Sequence, residues 1–150
     1  MLTLNIVTGL AMMVLTIIIH SVFMVVGAKI AKWRRSHFGN IRKETAKAVL
    51  LSGLTIWLFL AVVIEAGLWA TLYLLNPLVT ALPDLETAFY FSMVTFTTLG
   101  FGDVVLIGQW RTLASIQAAN GVIIFGWTTA LIFYFIQHVY KEDIGATCRI

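Results

Sequence analysis

Thr95-Phe96-Thr97-Thr98-Leu99-Gly100-Phe101-Gly102-Asp103 is the stretch around which the rest of the chain is arranged. It lies between two long apolar segments. Gly100 and Gly102 can adopt backbone angles that a Cβ would forbid. Thr98 places a hydroxyl beside them, and Asp103 ends the run in a charge.

The surroundings of this stretch are those of a membrane protein. The chain has 150 residues, of which 60% are hydrophobic and 11% charged. A soluble domain of this size would carry roughly 25% charged residues. The charges are also clustered, since Met1 to Ala28 contains none and seven of the ten Lys/Arg lie between Lys29 and Lys47. That local basic excess needs no nucleic acid to explain it. The one cysteine, Cys148, makes no intrachain disulfide and no metal site. Histidine, acidic residues and cysteine are dispersed, with no nucleophile-base-acid set, so the pattern speaks against an enzyme and calls for no cofactor. Only residues 141–150 follow the last span, which predicts no soluble domain there.

Working outward, segment one runs from about Leu4 to Gly27, long enough for a spanning helix of ~20 residues. It lacks the basic start and short apolar core of a signal peptide. His20 lies inside it and reads as a neutral, hydrogen-bonded imidazole rather than a pH sensor. Lys29, Lys32, Arg34, Arg35, Arg42, Lys43 and Lys47 follow, opposed only by Glu44. The positive-inside rule makes this loop cytoplasmic and puts the N-terminus outside. Trp33 and Phe38 among the cations suit a segment resting on anionic headgroups, and a plain topology anchor is the simpler reading. His37-Phe38-Gly39-Asn40 reads as a turn.

Segment two, about Thr45 to Leu75, carries Glu65 in its outer half. An ionisable residue within a span faces protein or a cavity. Glu65 either hydrogen-bonds behind the short helix that follows and stiffens the glycine loop, or is a protonated or paired carboxyl holding two helices together. Asn76 to Asp84 is an outer connection containing Pro77 and Pro83. Asp84 is placed to cap a short helix over Leu85 to Phe96, with Glu86 in its first turn. Segment three runs from about Gln109 to Tyr140, bracketed by Trp110 and Tyr140. Its Lys141 is on the cytoplasmic side. The chain thus divides into a first spanning helix over 1–28, a basic loop over 29–47, a helix-loop-helix module over 48–140 and a tail over 141–150.

T-x-x-T-x-G-F-G-D resembles the selectivity filter of the potassium channel superfamily, usually T-x-x-T-x-G-Y-G-D. Tyr90 to roughly Gln137 resembles that family's pore helix, filter and inner helix, with segment two as the outer helix. The resemblance implies an all-α membrane protein with three transmembrane helices and a re-entrant pore helix and filter between the second and third. One pore loop cannot enclose an axis, so it implies a homotetramer with a potassium-selective, passive pore. Carried over, Thr98, Leu99, Gly100 and Phe101 supply carbonyls to K+, Thr98 adds its hydroxyl, and Gly102 completes the outer end. Gly121 and Gly126 permit bending or close helix contact; Gly121 resembles the hinge glycine of the inner helix, and its stripe Phe125, Thr129 and Phe133 is expected to face the ion pathway. The C-terminal dipole end of the pore helix would favour a cation below the filter. Asp103, with Asp84 and Glu86, would attract cations to the outer mouth.

Three departures modify this pattern. Phe101 replaces the usual tyrosine, and Phe91 stands where tryptophan is common. Both ends of one hydrogen bond are missing together, which suggests an apolar Phe101–Phe91 contact in its place. Tyr90, one place earlier, can bond Asp103 behind the filter. Leu99 replaces Val or Ile. Val94, four before Thr98, replaces the glutamate of some bacterial channels, a space that Glu65 from segment two could occupy. Thr95 belongs to the same support. A weakly selective cation channel and a non-conducting membrane subunit are the alternatives; the full filter motif argues against a transporter subunit, whose glycine filter is usually simpler.

Overall fold

A computed structural model describes residues 2–37, 44–76, 79 and 81–147, with side chains to Tyr140 except those of 35–37. The chain is all-helical. Helix α1 spans Leu2–His37, α2 Glu44–Leu74, α3 Leu85–Phe96 and α4 Arg111–Thr147, with a 3-10 turn over Gly108–Trp110 leading into α4. Three stretches, Leu2–Arg34, Glu44–Leu74 and Gly108–Tyr140, are long and apolar enough to cross a membrane. In lipid, backbone N–H and C=O groups must be satisfied within the segment, which is why such sequences form helices. α3, with 12 residues, cannot cross.

The outer connection, short helix and last span lie where the sequence places them. The basic segment differs. α1 does not stop at Gly27 but continues through Lys29, Lys32 and Arg34 to His37, and α2 starts at Glu44. Nothing between Ala28 and His37 breaks a helix, and Lys and Arg are good helix formers. At ~1.5 Å per residue a helix this long exceeds the ~30 Å hydrocarbon core, so its basic end projects beyond it. The turn expected at residues 37–40 lies outside the described residues after His37, as do Arg42, Lys43, Pro77 and Cys148.

α2 is the centre of the bundle. Leu50, Leu54, Leu58, Ala61, Val62, Glu65, Ala66, Trp69, Ala70 and Tyr73 recur at helical spacing and are buried. Their outer half packs with Ala88, Phe91 and Phe96 of α3 and with Leu113 and Ile124 of α4. α1 packs against this module, seated by glycines. A Cβ on Gly9 would lie 2.8 Å from Ile116 of α4, and one on Gly27 would lie 2.8 Å from Trp57 of α2. Trp57 Nε1 donates to the Phe23 carbonyl (2.9 Å), and Asn5 Nδ2 donates to the Gln109 carbonyl (3.1 Å). At the basic end Lys47 is buried, bonds Glu44 (3.1 Å) and lies over the Tyr140 ring at 5.0 Å. α1 is therefore integrated with the module through both other long helices.

Candidate functional site: the glycine loop and its supports

α3 presents the loop. Asp84 caps it, accepting from the Thr87 backbone N–H (2.8 Å) and the Thr87 hydroxyl (3.1 Å). Those bonds, the backbone one first, hold the Asp84 carboxyl below the usual carboxylate range. The C-terminal end of α3 closes with paired backbone bonds: Thr98 N donates to Thr95 O and Leu99 N to Val94 O, both at 3.0 Å. This is a Schellman closure, which calls for a left-handed residue after the cap, commonly glycine. Here that residue is Thr98, with φ +59°. A β-branched residue in that region is a genuine outlier, costing about 1–3 kcal/mol, and is retained where its surroundings or its function demand it. Among the described residues its hydroxyl makes no hydrogen bond, whereas that of Thr97 turns back to Met93 O (2.8 Å).

Beyond the closure, Gly100 (φ +58°) and Gly102 (φ +81°) are also left-handed, while Leu99 and Phe101 between them are not. The sign of φ alternates from Thr98 to Gly102. Such alternation turns successive peptide groups so that their carbonyls can line one side of the ribbon, which the extended or helical chain does not allow. All residues from Thr97 to Asp103 are exposed on the single chain.

Two supports hold the loop. Tyr90 OH donates to Asp103 Oδ2 at 2.6 Å, and Val104 N donates to Oδ1 at 3.0 Å. The Tyr90 bond keeps Asp103 below the ordinary carboxylate range, and the same carboxylate raises the Tyr90 phenol. Beneath α3, Ser92 Oγ donates to Ala66 O of α2 (2.6 Å), and Gln117 Nε2 of α4 donates to Ser92 Oγ (2.7 Å) and Ser92 O (3.2 Å). Gln117 Oε1 accepts from Tyr73 OH (2.7 Å). Sequence reasoning missed Gln117 and Tyr73 as members of this network. Their signal was a lone amide and a phenol at i and i+44 in neighbouring spans, which no single-helix pattern pairs.

Three expectations are corrected. Glu65 does not bond α3 or occupy the space beside Val94. It is fully buried, with Oε1 3.0 Å from His20 Nδ1 of α1, because α1 lies across that face of α2. His20 is hydrogen-bonded on both nitrogens, its Nε2 lying 3.0 Å from Thr128 Oγ1 of α4. Phe91 makes no ring contact with Phe101. Phe91 is on the buried face of α3, edge-on to Tyr73 at 5.4 Å, while Phe101 is 65% exposed. Tyr90, one residue and so about 100° round the helix from Phe91, faces the loop instead. Gly121 lies in an unbroken helix, and its need for glycine is close approach. A Cβ would overlap the Phe96 carbonyl oxygen and lie 2.8 Å from the Phe96 carbonyl carbon. Phe125, next on the expected stripe, packs its ring on Phe96 at 6.2 Å, which leaves Thr129 and Phe133 as the exposed part of that stripe. Of the basic residues, Lys29, Lys32 and Arg34 are exposed. The Arg35 side chain and all of Arg42 and Lys43 lie outside what is described.

Comparison with known families places residues 54–138, more than half of the chain, within the model of the family described as Ion channel. Searches of curated proteins and of solved structures gave no match.

Proposed function

Since the chain belongs to the ion channel family and is an integral membrane protein, we propose that it is a potassium-selective channel, conducting passively through a homotetrameric pore. The observation that carries this reading is the alternating left-handed backbone at Thr98, Gly100 and Gly102. It supports a ring of carbonyls from Thr98, Leu99, Gly100 and Phe101 in place of an ion's water shell, with the unengaged Thr98 hydroxyl at the inner end. No catalytic chemistry and no cofactor enter; K+ is the cargo.

The tetramer is supported by an exclusion argument. Non-helical backbone at membrane depth is tolerated only where protein or a water-filled cavity covers it. The loop is uncovered on the single chain, with Leu99 59% and Phe101 65% exposed. A groove of about 250 Å³ behind it, lined by Tyr90, Thr95, Asp103, Arg111 and Ser115, is also left unfilled by the chain itself. Further copies about a closed axis cover all three features and give the loop an axis to surround. In this arrangement Thr129 and Phe133 line the inner pathway. Asp103, Asp84 and Glu86 draw cations to the outer mouth.

The exposed Lys29, Lys32 and Arg34 at the end remote from the loop support a cytoplasmic basic end in contact with anionic lipid. The N-terminus is then outside and the C-terminus cytoplasmic. Flux from liposomes containing only the purified protein tests the reading. The expected result is K+ flux that stops on Na+ substitution and in the presence of a pore-blocking cation. Equal Na+ flux would instead make it a weakly selective cation channel, and no flux a non-conducting subunit.

A further inference from the structure

The inner ends of α1 and α2 enclose a groove that the filter and its supports do not use. Gly27, Ala31 and Arg34 recur at i, i+4 and i+7 along α1, and Leu50, Gly53 and Trp57 at i, i+3 and i+7 along α2, so each set makes one stripe. Between the stripes lies a cavity of about 120 Å³. Ala31 and Leu50 are its buried floor and pack on Val139, near the inner end of α4. One end is closed where Gly27 meets the Trp57 ring, which is fixed by the bond from its Nε1 to the Phe23 carbonyl (2.9 Å). Ile30, on the rim, is exposed and extends the apolar wall.

Arg34 marks the other end, about 10 Å along the helix from Gly27. Gly53 faces it: a Cβ there would lie 3.9 Å from Arg34 Nη1, so the guanidinium reaches over to bare α2 backbone. Among the described residues this guanidinium has no hydrogen bond or ion pair. Glu44, at the start of α2, is bonded to Lys47 instead (3.1 Å). A planar fork of N–H donors at the mouth of an apolar groove fits a phosphate oxygen pair with a hydrocarbon chain attached. A second copy of the chain is the rival occupant, and it is short of counter-charge. Of the seven Asp/Glu, Asp84, Glu86 and Asp103 lie at the filter end, Glu65 is buried and Glu44 is engaged, which leaves Glu142 and Asp143. A leaflet of anionic lipid presents phosphates at this level in excess, drawn further by the exposed Lys29 and Lys32.

We propose that this groove is a site for one anionic phospholipid of the cytoplasmic leaflet, its phosphate held by the Arg34 fork and one acyl chain laid along the cavity between Gly27 and Gly53. The site rests on the proposed contact of the basic end with anionic lipid, not on conduction. It is a built site rather than a diffuse attraction, because charge and groove must both be present. The lipid joins α1 to α2 beside the place where both meet Val139 of α4, so it completes the seat of the first helix on the module.

The full-length protein purified in detergent is titrated with phosphatidylglycerol, phosphatidylcholine or inorganic phosphate, and followed by native mass spectrometry and thermal unfolding. Phosphatidylglycerol should be retained at one molecule per chain and raise the melting temperature to a plateau. Phosphatidylcholine, whose ammonium offsets its phosphate, and inorganic phosphate, which has no chain, should do neither. Arg34→Gln should weaken retention about tenfold or more, and Arg34→Lys by less, since it keeps the charge but not the fork. Gly53→Leu leaves every charge in place, fills the groove and should also abolish the plateau. Lys29→Gln combined with Lys32→Gln should keep it. Equal stabilisation by inorganic phosphate, or full retention in Gly53→Leu, would overturn the proposal. So would a lipid-free protein destabilised alike and non-additively by Arg34→Gln and by Glu142→Gln with Asp143→Asn, which would give the groove to a second copy. Retention reduced equally by Arg34→Gln and by the Lys29, Lys32 double variant would overturn the groove and leave the basic end in contact with anionic lipid. No preference for phosphatidylglycerol in any form would overturn that reading as well.

Discussion

Two polar networks lie inside this bundle, and they are built to different standards. Beneath α3, Tyr73, Ser92 and Gln117 satisfy one another and the Ala66 and Ser92 carbonyls, with no buried polar atom of theirs left over. Between α1, α2 and α4, the His20–Glu65–Asn120 cluster leaves Glu65 Oε2 and Asn120 Oδ1 unpaired. A fully satisfied network in a low-dielectric interior is rigid, because any movement exposes an unmet group. A network short of hydrogen has more than one arrangement of similar energy. The first suits a fixed mount for the loop. The second suits a joint whose setting can change.

Substitutions in the rigid region should therefore be the most damaging. Gly121→Ala is expected to have the largest effect. Its Cβ meets backbone, which no rotamer change relieves, so α3 and α4 must separate. Overpacking of this kind costs about 3 kcal/mol or more, and thermal unfolding together with K+ flux should show loss of both. Retained flux in Gly121→Ala would mean that the Phe96 contact is not part of the conducting form. Next, Gln117→Leu strands the buried Tyr73 hydroxyl and Ser92, at about 2–3 kcal/mol. Adding Tyr73→Phe should return part of that stability, since the phenol no longer needs a partner. A double mutant no more stable than Gln117→Leu would show that the network is not the cause.

The loop itself offers a finer separation. Thr98 is held left-handed by the closure of α3, a conformation that glycine adopts freely. Thr98→Gly should stabilise the fold by up to about 1 kcal/mol while reducing preference for K+ over Na+, measured as reversal potentials in mixed salts. Stability and selectivity moving together would argue that the hydroxyl has no role in conduction. The smallest effect is expected at the outer mouth. Tyr90 holds the Asp103 carboxyl below its ordinary value. A depressed carboxylate keeps its charge above that lowered pKa and loses it as external pH falls through it. In Tyr90→Phe the loss should occur at higher pH, nearer the ordinary ~4. Acid titration of outer-mouth flux measures the shift, and an unchanged midpoint would show that the bond is not what holds Asp103 ionised.

The local signals were readable because each rests on adjacent residues. The Asp84 cap, the α3 boundaries and the Tyr90–Asp103 bond follow from spacing along one short helix and its loop. The Phe101–Phe91 contact and the filter-side role for Glu65 failed for the opposite reason. Each required knowing which face of a helix meets which neighbour, and α1, which decides the environment of Glu65, carries no motif that says where it docks. Gly121 permits either bending or close helix contact, and the Phe96 backbone beside it, which only packing reveals, shows the close contact.

Hydropathy, charge distribution and the T-x-G-F-G-D run determined by themselves that the chain crosses the membrane three times around a re-entrant helix and glycine loop. Lipid leaves a spanning backbone almost no alternative to helix, and glycine alternation limits what the loop can do. The tertiary structure decided which polar side chains meet. Residues as far apart as His20, Glu65 and Thr128 share one buried cluster because glycine contacts seat α1 across two other helices, and no spacing within one segment encodes that crossing.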